Sequence, residues 1–253
     1  MTWQQLDRWL LNVIFRRSRI FKVRLSDCCD EFGNSFGSGG SHFFVRALAQ
    51  GTTDEAVCGY LRSYYAKHPI RSFNETIGHD IDDQAGGQYF CPWEQDRVRP
   101  LARFANSHKA GPTPEKALER IVRRLLGVLD EIRSRGFRQY SILDGFPRVI
   151  EIVDRSERRR YIVRDGQHRA AAISHLKYET LWVSYDADHW IRSLPYRISS
   201  RLAGNGRFGN LSPRVVREDA VDEWPHVREG RVKREEALAY FHAMFGDLGD
   251  ATE

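Results

Sequence analysis

Residues 161–176 read YIVRDGQHRAAAISHL and change character halfway along the stretch. The stretch begins with Tyr161, Ile162 and Val163, which are aromatic and β-branched residues that favour a strand. It ends with small and apolar residues that recur at helical spacing. The polar segment Asp165–Arg169 separates the two halves. The sequence therefore predicts a strand, a tight turn and a helix, with the polar residues at the turn.

This polar turn is typical of an anion site. Asp165 is a natural N-cap, because its carboxylate can accept from the first N–H groups of the helix, and Gly166 leaves room for a ligand beside the backbone. The first helical turn carries a partial positive charge, and here it also carries Gln167, His168 and Arg169. Arg169 can bind phosphate through two parallel N–H bonds, and His168 can donate or transfer a proton. The alternative is that Asp165 is only a cap and that the next residues form an exposed first turn.

The motif DGQHRAAA resembles the DGxHR-type signature of the ParB/sulfiredoxin superfamily. Gly111–Phe137 resembles the helix that precedes this motif in one branch of the superfamily. Val215–Phe245 resembles the tail of the same branch, including its "WP-V-x-x-G" turn at Trp224–Gly230. The resemblance covers most of 109–245. It implies an α+β fold, with a ParB/sulfiredoxin-like core of a small mixed sheet and helices, and helical N- and C-terminal extensions.

This resemblance gives a division into three segments. Residues 1–108 are expected to be an N-terminal helical extension, 109–187 the nucleotide-binding core, and 188–253 a C-terminal extension packed on the core. Within the core, the alternating residues 148–153 and 161–164 predict a β-hairpin, and 180–185 predict a further strand.

The longest predicted helix covers residues 113–135. Thr113 is a suitable cap, Pro114 suits the first helical position, and Gly136 is a suitable end. An apolar stripe at helical spacing predicts the buried face, formed by Ile121, Leu125, Val128, Leu129 and Ile132.

Two functions found in this superfamily fit the chain poorly. Sulfiredoxin uses a cysteine directly before its His-Arg pair, and Gln167 stands at that position here, so the covalent sulfur chemistry is not possible. ParB clamps DNA through a helix-turn-helix domain that follows the nucleotide motif, and residues 186–253 carry no such pattern. Nucleic acid is therefore not an expected partner.

The free-serine kinases of this superfamily imply a different chemistry, in which ATP or ADP donates a phosphoryl group to a small hydroxyl substrate. Gly166, Gln167, His168 and Arg169 would hold the donor phosphates, and Asp165 would bind Mg²⁺ or orient the acceptor. The catalytic base of that branch is a glutamate before the central strands, for which Glu119 and Glu115 are the candidates. His168 is a further candidate for proton transfer.

The acceptor and the alternative function also depend on the resemblance. The branch with this tail resembles proteins encoded among cell-surface polysaccharide genes, so a sugar or polyol is the first candidate acceptor. The competing hypothesis is a non-catalytic nucleotide-binding module that regulates or scaffolds a partner.

Composition sets the remaining limits. The chain has 253 residues, a net charge of +5 and four unpatterned cysteines, which predicts a globular protein of the reducing cytoplasm. Residues 1–24 carry six basic residues and one acidic residue, together with apolar residues at helical spacing. This segment predicts a helix that packs on its own domain or contacts an anionic membrane surface, so the protein could be peripheral to the inner membrane.

Overall fold

The computed structural model describes residues 20–68, 88–89, 91–94, 99–100, 113–136, 146–185 and 215–246. The helices are α1 (Phe43–Gln50), α2 (Asp54–Lys67), α3 (Glu115–Arg135), α4 (Gln167–His175), α5 (Pro225–Arg228) and α6 (Arg234–Ala243). The strands are β1 (Ile20–Arg24), β2 (Cys28–Cys29), β3 (Gln88–Tyr89), β4 (Arg99–Pro100), β5 (Arg148–Val153), β6 (Arg159–Asp165), β7 (Thr180–Tyr185) and β8 (Val215–Arg217). Two 3₁₀ helices cover Leu25–Asp27 and Glu218–Glu223.

Six strands form one mixed sheet, in the order β1-β7-β5-β6-β2, with β8 paired to β5. The β1–β7 and β5–β6 pairs are antiparallel, whereas β5 is parallel to β7 and β8, and β6 is parallel to β2. The first half of β5 pairs with β7 and its second half with β8, so β5 lies at the centre of the sheet. The protein is therefore α+β with a mixed sheet. Strands β3 and β4 form a separate antiparallel pair.

The sheet buries apolar side chains on both faces, because successive residues of a strand point to opposite sides. On one face, Val149 and Val163 join a cluster with apolar residues of α1, α2, α3 and α4. On the other face, Ile150 and Ile162 join a second cluster that includes Trp93 and apolar residues of α6. The sheet is the middle of three layers, and α4 packs against both α1 and α3 within the helical layer.

The local predictions in the centre of the chain are confirmed. β5 and β6 form the expected antiparallel hairpin, and β7 is the expected further strand. Ile121, Leu125, Leu129 and Ile132 of α3 are buried as predicted, and Val128 is partly buried. Gly136 ends the helix with a left-handed φ of 73°.

The predicted start of this helix is wrong by two residues. Pro114 is extended and occupies the N-cap, and no side chain bonds the cap, so the helix begins at Glu115 and Thr113 does not cap it. Proline fixes φ but leaves ψ free, and here ψ is 146°.

The predicted helix at the N-terminus is wrong for residues 20–24, which form β1. These residues pair along their whole length with β7. The segment includes aromatic and β-branched residues that suit a strand, and pairing with a distant strand overrides the local helical spacing. Residues 1–19, which carry the rest of this prediction, lie outside the described residues.

Strands from all three predicted segments share the sheet, since β1 and β2 precede residue 109 and β8 follows residue 187. Among the described residues, none of the helices is both long and apolar enough to cross a membrane. The four cysteines are free thiols.

Candidate functional site

The predicted polar turn lies where β6 ends and α4 begins. Gly166 connects them with a left-handed φ of 89°, and α4 starts at Gln167. A Cβ atom on Gly166 would lie 2.8 Å from Cβ of Pro147, a distance shorter than carbon atoms tolerate. Pro147 therefore fills the side of Gly166 on which a Cβ atom would lie, and only glycine fits this position.

Asp165 is not the N-cap of α4, which corrects the prediction. Asp165 is still part of β6, Gly166 is the cap residue, and no side chain bonds the cap. The Asp165 Oδ1 atom accepts from the N–H group of Gly166 at 2.9 Å, and its Oδ2 atom accepts from Arg148 at 2.6 Å. The carboxylate is thus held by the turn and by a guanidinium from the neighbouring strand.

Arg148 reaches Asp165 because the hairpin is irregular at this end. Val149 pairs with Val163, and an unbroken antiparallel register would then place Arg148 opposite Arg164. A β-bulge between Arg148 and Val149 shifts Arg148 opposite Asp165 instead. The bulge therefore brings a second arginine to the turn that already carries Arg169.

His168 is buried beside the turn by an aromatic contact. The ring of Phe44 in α1 stacks on His168 with ring centres 4.4 Å apart. Phe44 is held in turn by His42, whose Nδ1 atom accepts from the backbone N–H of Phe44 at 3.2 Å and so caps α1. The first turns of α1 and α4, which carry the positive ends of the two helices, consequently meet at this stack.

Gln167 and Arg169 complete the first turn of α4. The Gln167 side chain is buried and donates through Nε2 to the carbonyl of Val163 at 3.0 Å. Its Oε1 atom has no hydrogen-bond partner within the described part of the chain. Arg169 is half-buried. The turn thus offers a buried acceptor and a cationic side chain within one helical turn.

A buried ion triad lies on the opposite side of β6 from Asp165. The Arg164 guanidinium pairs with Glu31 and, at 2.7 Å, with Glu94, and both carboxylates are almost fully buried. Tyr240 of α6 donates to the carbonyl of Glu31 at 2.7 Å. The triad joins the loop after β2, residues 91–94 and α6 to the strand end that carries the turn.

Asp30 is a second buried carboxylate near His42. Its oxygens accept from the backbone N–H groups of Phe32 and Asn34 and from the Asn34 side chain, and it lies 3.8 Å from His42. Burial raises the pKa of Asp30 from its usual 3.8 to about 6, although these hydrogen bonds oppose the shift.

This raised pKa makes a testable prediction about stability. The folded protein binds the proton more tightly than the unfolded chain, so this group reduces stability as the pH rises from about 4 to about 6. We expect wild type to lose about 2 kcal/mol over this interval relative to Asp30→Asn. Urea unfolding of wild type and Asp30→Asn between about pH 4 and pH 6 measures the difference in their free energies of unfolding. Both proteins retain His42. A difference in the free energy of unfolding that does not change with pH would contradict the raised pKa of Asp30.

The two candidate bases, Glu115 and Glu119, lie on α3 and form no hydrogen bond or ion pair with the turn residues. Glu115 forms an exposed ion pair with Arg62 of α2. Glu119 is exposed and makes no hydrogen bond or ion pair with the described residues. The structure therefore unites Asp165, Gly166, Gln167, His168 and Arg169 at one turn. Neither glutamate forms a hydrogen bond or ion pair with these residues.

The donor set at the turn suits a phosphate better than a metal ion bound by protein alone. The described residues contain no group of three or more His, Cys, Asp or Glu side chains that could hold a metal ion. Asp165 offers one carboxylate, and its oxygens already accept from Arg148 and Gly166. Mg²⁺ commonly takes one or two protein carboxylates and completes its shell with phosphate oxygens and water, so Asp165 fits Mg²⁺ only as part of a nucleotide complex.

Sequence reasoning missed the residues that reach the turn from distant segments. The hairpin pattern could have suggested Arg148, because its regular register already places that residue within one position of Asp165. No local signal pointed to Phe44, Glu31 or the pairing of Arg164. Each of these contacts joins segments that are far apart in the chain.

Comparison of the chain with protein-family models, with curated proteins and with solved structures finds no match.

Proposed function

We propose that this protein is a nucleotide-dependent phosphotransferase that acts on a small hydroxyl substrate. The observation that carries the proposal is the Arg148–Asp165 pair beside the first turn of α4. The pair holds the Arg148 guanidinium beside a helix N-terminus that already bears Arg169. Two guanidinium groups at a helix N-terminus favour binding of a polyphosphate, whose negative charges are closely spaced. The resemblance of DGQHR to the ParB/sulfiredoxin signature supports the same proposal, including a ParB/sulfiredoxin-like core.

In this proposal the residues of the turn have distinct roles. Gly166, Gln167, His168 and Arg169 bind the donor phosphates of ATP or ADP, and Arg148 adds charge stabilisation. Asp165 contributes one ligand to the nucleotide's Mg²⁺ or orients the acceptor hydroxyl, and His168 is available for proton transfer. Bound Mg²⁺ would neutralise charge on the phosphates.

Glu119 is the better of the two candidate bases, because the carboxylate of Glu115 is bound to Arg62. A sugar or polyol is the proposed acceptor on the strength of the resemblance alone. We expect Glu119→Gln to lower turnover about a hundredfold or more and to leave nucleotide affinity unchanged.

A second candidate function is a nucleotide-binding module without catalysis. The observation that favours it is that Glu115 and Glu119 are both exposed on α3 and form no hydrogen bond or ion pair with the described residues of the turn. Such a module would bind nucleotide at the same turn and regulate a partner. Nucleic acid is not proposed as that partner.

Nucleotide binding tests the shared part of both functions. ATP, ADP, CTP and GTP with Mg²⁺ should be titrated calorimetrically into wild type, Arg169→Ala and the control Arg228→Gln, an exposed arginine of α5. We expect affinity to fall about tenfold or more in Arg169→Ala, since it loses charge-assisted hydrogen bonds, and to stay unchanged in Arg228→Gln. If no nucleotide binds, both functions are rejected.

Phosphoryl transfer then separates the two functions. ADP or AMP formation should be followed with a panel of sugars and polyols, using wild type, Glu119→Gln and Glu115→Gln. Nucleotide binding with no turnover on any acceptor of the panel would favour the binding module. Equal turnover in wild type and Glu119→Gln would reject Glu119 as the base.

A further inference from the structure

The outer face of α3 carries a cluster of basic side chains that lack counter-ions among the described residues. Lys116, Arg120, Arg123 and Arg124 are exposed, and none of them forms an ion pair or hydrogen bond with the described residues. We call these four residues the α3 basic face. Glu119 is the one carboxylate among them, and it pairs with none of the four.

The clustering of unpaired cations distinguishes the α3 basic face from the rest of the described surface, where unpaired cations are scattered. Most other exposed arginines bind a carboxylate, and this includes two at the C-terminal end of the same helix. Representative pairs are Arg24–Asp27, Arg62–Glu115, Arg133–Asp130, Arg155–Glu218 and Arg158–Asp154. Unpaired cations are therefore concentrated at the N-terminal half of α3.

The placement of these cations is unfavourable for the helix itself. Lys116 and Arg120 lie in the first two turns, where the helix end is already positive. Lys116 and Arg120, and again Arg120 and Arg124, are like charges four residues apart, which is a repulsive spacing. Residues that oppose local stability without a compensating contact are typical of functional surfaces.

We propose that the α3 basic face binds the anionic headgroups of a lipid membrane. Clusters of four or more Lys and Arg residues on a surface helix are typical of attachment to anionic lipids. The exposed large apolar residues of the described surface are Tyr178 and Val215, and neither belongs to α3. Contact through this face is therefore electrostatic, without insertion of side chains into the acyl region.

Two other polyanionic partners fit the same face less well. A stable protein interface needs an apolar centre, which this face lacks. Single-stranded nucleic acid is bound with aromatic stacking, and no aromatic side chain is exposed on α3. The basic segment 1–24 supplies a second cationic signal in the same chain, and stable attachment to membranes commonly takes two signals.

Vesicle sedimentation of the full chain tests the proposal. We expect binding to vesicles of equimolar phosphatidylcholine and phosphatidylglycerol, no binding to phosphatidylcholine alone, and loss of binding at high salt. Each cation near an anionic surface strengthens partitioning about fivefold, so the quadruple change to glutamine should weaken it about a hundredfold or more. The variant is Lys116→Gln/Arg120→Gln/Arg123→Gln/Arg124→Gln.

A matched control separates the face from net charge. Four exposed cations, in α1, in α2, in α5 and just after α4, make no ion pair with the described residues, and their replacement changes the charge equally. The control variant is Arg46→Gln/Lys67→Gln/Lys177→Gln/Arg228→Gln. We expect it to bind vesicles almost as wild type does.

Three results would overturn the proposal. The first is no binding of wild type to the anionic vesicles, and the second is equal weakening of vesicle binding in both quadruple variants. The third is that the α3 variant keeps vesicle binding but loses binding to duplex DNA, measured in parallel. The last result would assign the face to nucleic acid. The proposal does not depend on the proposed phosphotransferase activity, because none of the four residues belongs to the turn after β6.

Discussion

Gly166→Ala is expected to lower the free energy of unfolding by about 2–5 kcal/mol and to abolish nucleotide binding. An alanine at a left-handed φ of 89° costs about 1–2 kcal/mol. The added methyl group would also lie 2.8 Å from Cβ of Pro147, and overpacking of this kind costs about 1–3 kcal/mol. Because the turn can relieve the clash only by moving Gln167, His168 and Arg169, the anion site should be lost with the stability.

Gly127→Ala is the matched control for this substitution. Gly127 lies within α3, and a Cβ atom on it would meet no atom within 4 Å. The same change of side chain should therefore raise stability by about 0.5–1 kcal/mol, because alanine is the better helix former. Urea unfolding measures both variants. Equal effects of the two substitutions would show that the turn at Gly166 is not as constrained as the structure indicates.

Arg164→Met is expected to be the most destabilising substitution, with a loss of about 3–5 kcal/mol near neutral pH. The change leaves Glu31 and Glu94 buried without the cation that both of them bind. Chemical unfolding of wild type and Arg164→Met at neutral pH measures this loss.

Two further variants make this prediction specific. Arg62→Met breaks the exposed pair with Glu115, and its unfolding midpoint should match wild type because surface pairs contribute little. Glu31→Gln/Glu94→Gln/Arg164→Met removes all three charges and should recover part of the stability. An Arg164→Met protein as stable as Arg62→Met would contradict a structural role for the triad.

The central hairpin and α3 could be predicted because local patterns determine them. The alternation in β5 and β6 and the apolar stripe from Ile121 to Ile132 each express a single periodicity. The turn at Gly166 was also evident, since glycine adopts the left-handed φ of a tight turn without steric cost. The prediction of Asp165 as a cap was wrong, although an Asp before a helix commonly has that role. Here β6 extends to Asp165, and the carboxylate accepts a hydrogen bond from Arg148.

Non-local contacts account for what could not be predicted. Residues 20–24 became a strand because β7 pairs with them, and residue spacing within 1–24 contains no information about β7. Glu31 and Arg164 are 133 positions apart, and one buried arginine cannot be matched to two distant carboxylates by any local pattern. The position of Arg148 was predictable only in part. The hairpin register could be predicted, but the bulge that places Arg148 opposite Asp165 could not.

Calorimetric titration of ATP with Mg²⁺ into wild type and Arg148→Gln tests for a phosphate site at the turn, with Arg228→Gln as the control. We expect wild type and the control to bind ATP and Arg148→Gln to bind it about tenfold or more weakly, because its neutral side chain cannot stabilise the phosphates as a guanidinium does. Circular dichroism should confirm that the three proteins are equally folded. Equal affinity in folded Arg148→Gln and wild type, or no binding by wild type, would contradict a phosphate site at the turn between β6 and α4.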